Sequence, residues 1–391
     1  MTTEQERYEQ VDMPFYQREV APILPPVVLD FHAHAWTSDQ WLTRAGPDQV
    51  HENGASVRPY SDDRYMSTLT EYTLGDLLAD AKRIFPGRDY RAVVFGQPTP
   101  YVDTELTNAY VLRHVVELPL YPLVVAGRGV SAGLSKERIV ESGCFGIKAF
   151  LNWTGDDYGN VTIEDMLGLR EMTLADELRL VVLLHVPRAR RLADPEDKRG
   201  LREYALRYPG AQIVLAHCGR CYVPDQMWDA ISAIKDLQNV YLDTSMVMDP
   251  LVLRMVFENL DSSRVLFGTD FPVAAMRGRR VYVMDHWVDV VLEGYAPSAF
   301  RVASDSIRAS FMAYEIVLAV KMGAQTAGLT AGQLQSVFCD NGMAVLSRVM
   351  EGRQLAAAKW RAEQRVLEHT IMGGVSRNRK GCADRSARWE A

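Results

Sequence analysis

Two histidines separated by one residue end an apolar stretch of the sequence, VVLDFHAHAW. In a β-strand, residues i and i+2 project to the same face, so His32 and His34 would point to the same side. Two imidazoles on one face can bind a single cation, and nitrogen is a common ligand of Zn²⁺. Asp30 shares this face and could orient one imidazole through a hydrogen bond. The alternative interpretation is a hydrogen-bonded pair of core histidines without a metal.

Other side chains that bind metals or transfer protons stand at or near the ends of further apolar stretches. The carboxyl ends of parallel strands meet on one side of a barrel, where the active sites of such enzymes lie. These side chains would therefore converge on the first two histidines and raise the expectation of a metal site. They are His185 in LVVLLHV, His217 in AQIVLAHC, Asp270 in RVLFGTDFP, Lys148 in FGIKAFL and Asp243 in NVYLDTS.

The elements that must position these residues alternate along the chain. Eight strand-like stretches are each followed by a helical pattern, and Thr73 and Ser135 are candidate N-caps of two of these helices. Such alternation predicts parallel βαβ units. A doubly wound sheet would carry a glycine-rich phosphate loop after its first strand, and HAHAWTSD has none. We therefore predict an α/β protein with a (β/α)8 TIM barrel.

Segments outside the repeating units complete the predicted organisation. The polar segment 37–67 is too long for an ordinary connection and predicts a lid or other functional loop after the first strand. The segment 281–350 is predicted to add C-terminal helices to the barrel. We expect residues 1–350 to form one domain, and residues 351–391 to form a helix followed by a basic, flexible tail.

Composition limits the partners and the compartment. The formal net charge of −7 argues against nucleic acid as the main partner. The N-terminal residues lack the apolar core of a signal peptide, and no apolar run is long enough to span a membrane. Five scattered cysteines suit a reduced cytoplasm, and Cys218 and Cys221 are expected to be packing residues, since better metal ligands exist.

The segments LDFHAHAW, VLLHV, IVLAHCG, VLFGTDFP and VFCDNGMAVL resemble the signature segments of the amidohydrolase superfamily. The resemblance covers about residues 27–349 and is strongest to the amidohydrolase-related branch that includes aminocarboxymuconate-semialdehyde decarboxylase and pyrone-dicarboxylate lactonase. It implies that His32, His34, His185 and Asp270 bind one divalent ion, with His217 as a hydrogen-bonding partner of substrate or water. Three imidazoles and one carboxylate suit Zn²⁺, with Mn²⁺ or Fe²⁺ as alternatives.

Two reactions are consistent with this site. In a hydrolase, the ion would activate water, Asp270 would accept and return the proton, and His217 would polarise the scissile carbonyl. We favour hydrolysis of a C–N or C–O bond in an amide, lactone or ester. A non-oxidative decarboxylase of an aromatic or unsaturated acid is the alternative, and a barrel without catalysis is a minor third interpretation.

Lys148 adds a further alternative. In binuclear members of the superfamily, a lysine on the fourth strand is carbamylated and bridges two metals, and His185 and His217 would then bind the second ion. We expect one ion, as in most of the related branch. In either case Lys148 could instead present an ammonium group to an anionic substrate.

Residues on the loops around the predicted site could bind the substrate. Arginines there suit a substrate that bears a carboxylate or phosphate, and tryptophans could stack on a planar group. Asp243 could support the site or cap a turn, and a homodimer is expected by analogy with related barrels. The candidate loop residues are Arg188, Arg190, Arg191 and Arg220, then Arg277, Arg279 and Arg280, and Trp36 and Trp153.

Overall fold

Eight parallel strands lie side by side in the order in which they occur in the chain. The ring closes where the main-chain N–H of Phe31 donates to Phe267 O at 2.7 Å and that of His34 donates to Phe271 O at 3.0 Å. The prediction of a (β/α)8 TIM barrel is confirmed. The strands are β1 (Val27–His34), β2 (Asp89–Phe95), β3 (Leu120–Val125), β4 (Gly146–Ala149), β5 (Val181–Leu184), β6 (Gln212–Leu215), β7 (Val240–Asp243) and β8 (Val265–Leu266).

This computed structural model describes residues 4–42, 71–99, 102–127, 134–150, 160–283, 286–292, 300–301 and 308–358. Most of the predicted lid, Trp153 and the C-terminal tail lie outside these ranges. No helix among the described residues is both long and apolar enough to cross a membrane.

Helices pack around the strands because their apolar faces are buried against the ring. Both predicted N-caps are present: the Thr73 side chain accepts from Asp76 N–H in a capping box, and the Ser135 side chain accepts from Arg138 N–H. An N-terminal helical segment spans 4–20, and the C-terminal helix is described over 340–358. The other principal helices are Leu74–Ile84, Thr104–His114, Lys136–Ser142, Ile163–Met166, Leu169–Leu178, Pro195–Arg207, Pro224–Ile231, Pro250–Asn259, Met312–Thr326 and Ala331–Val337.

The prediction of a helix from residue 281 onward is wrong for its first part. Residues Gly278–Val283 and His286–Val291 form antiparallel strands, β9 and β10, and Phe300–Arg301 forms β11 beside β10. The sequence VYVMDHWVDVV is rich in β-branched and aromatic residues, which favour a pleated surface. Gly278 also permits close pairing, because a Cβ there would lie 2.3 Å from Val290 O.

Candidate metal centre

His32 is held at the centre of the site by Asp243. Nδ1 of His32 lies 2.9 Å from Asp243 Oδ2, and both side chains are buried. A carboxylate can only accept, so Nδ1 carries the proton and Nε2 has the lone pair. Nε2 lies 3.3 Å from Asp270 Oδ1 and 3.3 Å from Lys148 Nζ. The β1–β2 register shifts between Asp30 and Ala33, a type of irregularity that re-aims side chains near active sites.

Asp243, the last residue of β7, forms hydrogen bonds with three segments of the chain. Its Oδ1 accepts from the main-chain N–H of His217 at 2.9 Å, from that of Ser245 at 3.0 Å, and from the Ser245 hydroxyl. Burial acts to raise the pKa of Asp243, but its contacts with His32, His217 and Ser245 outweigh burial and lower that pKa. The carboxylate is therefore ionised, and it keeps His32 in one tautomer.

Asp30 forms a hydrogen bond with the main chain of His32 and none with its ring. It accepts from His32 N–H at 2.9 Å, from Thr269 N–H at 2.9 Å and from the Tyr90 hydroxyl at 2.7 Å. These bonds join β1 to the segment after β8. Burial raises the pKa of Asp30 to about 6. The carboxylate that orients the imidazole is thus Asp243, where the sequence had suggested Asp30.

Asp270 and His34 face one another across the closure of the barrel. Nε2 of His34 lies 3.1 Å from Asp270 Oδ1, and Asp270 N–H donates to His32 O at 2.8 Å. Asp270 has a φ of +73°, a left-handed conformation that is uncommon outside glycine and is frequent at functional sites. Burial lowers the pKa of His34 to about 4. Burial would raise the pKa of Asp270, but the surrounding histidines lower it.

His217 has a defined tautomer as well. Its Nδ1 lies 3.1 Å from the main-chain oxygen of Ser245, which can only accept, and 2.8 Å from the Ser245 hydroxyl. Nδ1 therefore carries the proton, and Nε2 has the lone pair. Like Asp270, His217 has a positive φ, of +55°. Burial lowers the pKa of His217 to about 3, so the ring is neutral near pH 7.

His185 follows β5, and its ring lies 5.2 Å from the His217 ring and 4.5 Å from the Phe150 ring. Burial lowers the pKa of His185 well below its usual value, which makes this imidazole neutral too. Its Nδ1 is buried and has no hydrogen-bond partner among the described residues, and the same holds for Nδ1 of His34. Unpaired buried nitrogens are costly, so these two rings suit an additional ligand.

A metal ion fits this arrangement. The candidate ligand atoms of His32, His217 and Asp270 lie within 4.8 Å of one another, the one such group of three or more His, Cys, Asp or Glu residues in the described part of the chain. Metal ligation needs neutral imidazoles and an ionised carboxylate. Burial lowers the pKa of His217, and the histidines around Asp270 outweigh burial and lower its pKa, so both side chains favour the form that ligation needs. This group shares His32 and Asp270 with the predicted ligand set. The predicted set has His34 and His185 in place of His217.

A cavity of about 200 Å³ lies beside these side chains, and His32, His34, His185 and His217 all line it. Its lining combines the histidines, Asp270, Gln97 and Arg280 with aromatic and aliphatic side chains, a mixture that suits a small molecule bearing polar groups. The described residues that line it are His32, His34, Gln97, Pro98, Phe150, His185, His217, Tyr222, Met246, Asp270, Val273, Arg280 and Trp287.

The comparisons with known proteins agree with this fold. The amidohydrolase model Amidohydro_2 matches residues 29–282. The chain belongs to the amidohydrolase family. No curated protein matches the sequence.

Solved structures similar to this amidohydrolase-family chain share its barrel at low sequence identity. The 4-oxalomesaconate hydratase of Rhodopseudomonas palustris is 16% identical, with a TM-score of 0.51 over 86% of this chain and 100% of that one. The 5-carboxyvanillate decarboxylase of Sphingomonas paucimobilis is 15% identical, with a TM-score of 0.52 over 83% and 99%. A zinc-bound amidohydrolase of Burkholderia multivorans is 12% identical, with a TM-score of 0.51 over 82% and 99%.

The arginines predicted after β5 and β6 are absent from the described lining of the cavity. Arg188 pairs with Asp194, and Arg190 pairs with Asp229 at the surface. The remaining two have other partners: Arg191 donates to Gln226, and Arg220 donates to Val186 O. These loops turn the guanidinium groups toward neighbouring protein atoms.

The three arginines of MRGRR separate in the structure. Arg277 is buried against Asp12 and Glu4 of the N-terminal helical segment, and Arg279 pairs with Glu315. Only Arg280 of the three appears among the described lining residues of the cavity.

The remaining candidates fall at different places. Trp36 is fully buried and packs against Tyr72, away from the described lining of the cavity. Lys148 lies beneath the cavity, with Nζ 4.7 Å from the centre of the Phe95 ring. Burial lowers the pKa of Lys148 to about 8. Cys218 and Cys221 are buried free thiols, as expected for packing residues.

Several residues at the site were missed by the sequence analysis. Three of them stand two positions beyond a strand residue, as Ser245 follows Asp243, Phe150 follows Lys148 and Gln97 follows Phe95. That spacing was a usable signal, because period two keeps a side chain on the same face. The sequence contains no such signal for Tyr222 and Trp287. Tyr222 lies in a loop, and Trp287 lies in β10, which was not predicted.

Proposed function

We propose that this protein is a metal-dependent hydrolase that cleaves a C–N or C–O bond in a small substrate. The observation that carries the proposal is the convergence of four histidines and Asp270 on one cavity at the carboxyl ends of the barrel strands. His32, His34, His185 and Asp270 would hold one divalent ion, and Zn²⁺ suits three imidazoles and a carboxylate. The unpaired Nδ1 atoms of His34 and His185 support their part in this set.

A bound divalent ion supplies a Lewis acid that polarises the substrate and activates water. The Asp270 carboxylate is ionised and accepts only, so it can take a proton from a water molecule beside it and return it to the leaving group. Its position is held by the bond from its N–H to His32 O and by the contact with His34.

We assign His217 the role of a proton acceptor. Because Ser245 binds the protonated Nδ1, the cavity-facing nitrogen has a lone pair and cannot donate to an oxyanion while the ring is neutral. This differs from the carbonyl-polarising role predicted above. Its Nε2 would receive a proton from water or substrate, and the ionised Asp243 behind Ser245 stabilises the imidazolium that forms.

Decarboxylation is the second candidate, and the apolar part of the cavity wall favours it. Phe150, Met246, Val273 and Trp287 contribute apolar surface beside the polar groups of the lining. As CO₂ leaves, the electron pair of the C–C bond and the negative charge pass to the carbon, and poor solvation of the starting carboxylate favours this step. Asp270 is ionised and the cavity-facing nitrogen of His217 has a lone pair, so either group would first take a proton from water and then deliver it to the carbon.

The experiment that tests the proposed function begins with metal analysis of the purified protein. We expect about one divalent ion per chain, loss of turnover after chelation, and its return with Zn²⁺ or Mn²⁺. Lactones, esters, amides and aromatic acids are then screened, with CO₂ release measured against appearance of a new acid. Protein without bound ion, whose turnover no divalent metal changes, would contradict the proposal.

We further propose a reduced compartment such as the cytoplasm. The four described cysteines are buried free thiols, although an oxidising compartment would favour pairing. Labelling of thiols in protein from cell extract, before and after reduction, tests this.

A further inference from the structure

The first strand of the barrel contains one residue more than its pairing with the second strand requires. Asp30 of β1 pairs with Ala92 of β2. Three residues further along β1, Ala33 pairs with Val94, which is only two residues beyond Ala92. A β-bulge of this kind bends the strand and re-aims the side chains around it. The bulge includes His32, so its geometry decides where this candidate metal ligand lies.

The Asp30 side chain supplies a hydrogen-bond acceptor inside this bulge. A bulge interrupts the ladder of main-chain hydrogen bonds between two strands. Oδ1 of Asp30 lies 2.9 Å from the main-chain nitrogen of His32 and accepts its N–H. His32 is 1% exposed, and a buried N–H without a partner would be costly. The carboxylate of Asp30 therefore stabilises the bulged conformation at His32.

The same carboxylate also holds the segment that follows β8. Oδ1 of Asp30 accepts from Thr269 N–H at 2.9 Å, and Oδ2 accepts from the Thr269 hydroxyl. Thr269 immediately precedes Asp270, the candidate ligand on the other side of the barrel closure. Asp270 N–H in turn donates to His32 O at 2.8 Å. These bonds fix the main chains of the two candidate ligands relative to each other.

The second oxygen of Asp30 has a further partner on β2. Oδ2 accepts from the Tyr90 hydroxyl at 2.7 Å. Asp30 and Thr269 are fully buried and Tyr90 is 7% exposed, so water does not compete for these bonds. Burying a carboxylate is costly unless it is hydrogen-bonded, and donors from three segments satisfy this one. The two oxygens have separate tasks, because only Oδ1 contacts the main chains beside the metal centre.

We propose that Asp30 is a positioning residue of the metal centre, and that its Oδ1 holds the bulge at His32 and the segment of Asp270 at the spacing that one divalent ion requires. The inference rests on the proposed function, because it takes His32 and Asp270 as ligands of one ion. Asp30 acts through the main chain of the ligands, whereas Asp243 acts through the imidazole of His32.

Binding of Co²⁺ to protein freed of other metals tests this inference, because the visible absorption of bound Co²⁺ depends on the arrangement of its ligands. Asp30→Ala removes the acceptor at Oδ1. We expect the Kd for Co²⁺ to rise about tenfold or more and the absorption bands of the complex to change. A carboxylate that only stabilised the fold would lower the Tm and leave the Kd and the spectrum of the folded protein unchanged.

Asp30→Asn is the conservative variant. Its side-chain oxygen can accept from the N–H groups of His32 and Thr269 as Oδ1 does, and its amide group can donate to the two hydroxyl oxygens. We expect the Kd for Co²⁺ and the spectrum to stay close to those of wild type. This variant also decides the matter if Asp30→Ala does not fold. A folded Asp30→Asn protein with the weakened binding expected of alanine would overturn the inference.

Two further variants serve as controls. Tyr90→Phe removes a bond to Oδ2 and leaves those to Oδ1, so it should weaken Co²⁺ binding less than Asp30→Ala does. Asp89→Ala makes the same substitution at an exposed carboxylate of β2 that pairs with Arg91, and it should bind Co²⁺ as the wild type does.

The outcomes separate this inference from the proposed function. A folded Asp30→Ala protein with the wild-type Kd and spectrum would overturn the inference while the proposed function stands. Wild-type protein that binds neither Co²⁺ nor another divalent ion would contradict the proposed function and the inference together.

Discussion

The Asp243 carboxylate accepts a hydrogen bond from Nδ1 of His32 at 2.9 Å, and this bond decides which nitrogen of the imidazole faces Asp270. Both side chains are buried, so the contact is not weakened by solvent. Partners of this kind fix the orientation of metal-binding histidines and increase their basicity.

Asp243→Asn should weaken metal binding. An amide N–H opposite Nδ1 of His32 would move the ring proton to Nε2 and remove the lone pair that a metal needs. We expect the metal affinity to fall by about 10- to 100-fold, as is typical when such a partner is lost. Competition with a chelator of known affinity measures the change.

The matched control is Asp261→Asn. Asp261 accepts from Ser263 N–H at the opposite end of β8 from Asp270, and asparagine can serve the same purpose. This variant should bind metal as the wild type does. Equal metal affinity in Asp243→Asn and the wild type would show that Asp243 does not control the tautomer of His32.

His185→Ala and His217→Ala should differ in metal content. The proposed ligand set includes His185, whereas His217 lies beside it as a proton acceptor. We expect His185→Ala to lose most of its bound ion. His217→Ala should keep its ion but turn over about 100-fold more slowly or worse, a usual effect of losing a general base.

Metal analysis of both variants, together with circular dichroism as a check of folding, makes this comparison. The opposite result would be loss of the ion from His217→Ala and its retention by His185→Ala. That result would favour a ligand set of His32, His217 and Asp270, whose candidate ligand atoms lie within 4.8 Å of one another.

Asp197 should make stability depend on pH. Its carboxylate is buried, and neither oxygen has a hydrogen-bond partner among the described residues. Burial, with Asp194 and Glu164 nearby, raises the pKa of Asp197 from its ordinary value of 3.8 to about 8. The folded state therefore holds a proton that the unfolded chain releases near pH 4, so folding stability falls as pH rises from about 4 to about 8.

Asp197→Asn removes this titration. We expect its Tm to exceed that of the wild type by a few degrees at pH 9, with a smaller difference at pH 5. The control is Asp225→Asn, which changes an exposed carboxylate in the first turn of another helix. A difference between Asp197→Asn and wild type that stays constant from pH 5 to pH 9 would be inconsistent with the raised pKa.

Gly278→Ala should disturb the β9–β10 hairpin more than the barrel. A Cβ at this position would lie 2.3 Å from Val290 O and 2.8 Å from Val291 Cγ1, so β9 and β10 would have to separate. We expect turnover to fall, because the hairpin contributes Arg280 and Trp287 to the cavity lining. The global Tm should fall by only a few degrees, because the hairpin lies outside the barrel sheet.

Gly332→Ala is the matched control, since nothing lies within 4 Å of a Cβ at that helical position. It should leave turnover unchanged and be neutral or slightly stabilising. Unaltered turnover in Gly278→Ala would argue that the hairpin does not shape the cavity.

The sequence by itself determined the barrel and much of the metal centre. Alternating strand and helix patterns specify parallel βα units, and a residue at the end of a parallel strand can face only the carboxyl-terminal mouth. His32 and His34 were placed by the two-residue period of a strand. His185 and His217 were placed by their positions at the carboxyl ends of two other strand-like stretches. Local periodicity was enough to place these histidines, because the backbone geometry of a strand fixes the direction in which each side chain points.

Only the tertiary structure decided which groups meet one another. The sequence suggested Asp30 as the partner of His32 and gave Asp243 as a supporting or capping residue. Only the packing of β7 beside the site brings Asp243 to the ring. The sequence of the short apolar stretch in β10 is compatible with either a helix or a strand. Its pairing with β9, which includes the contact of Asp289 with Arg280, makes it a strand. Contacts between segments distant in sequence depend on the sum of many packing energies. A local sequence pattern does not contain that sum and therefore cannot predict such contacts.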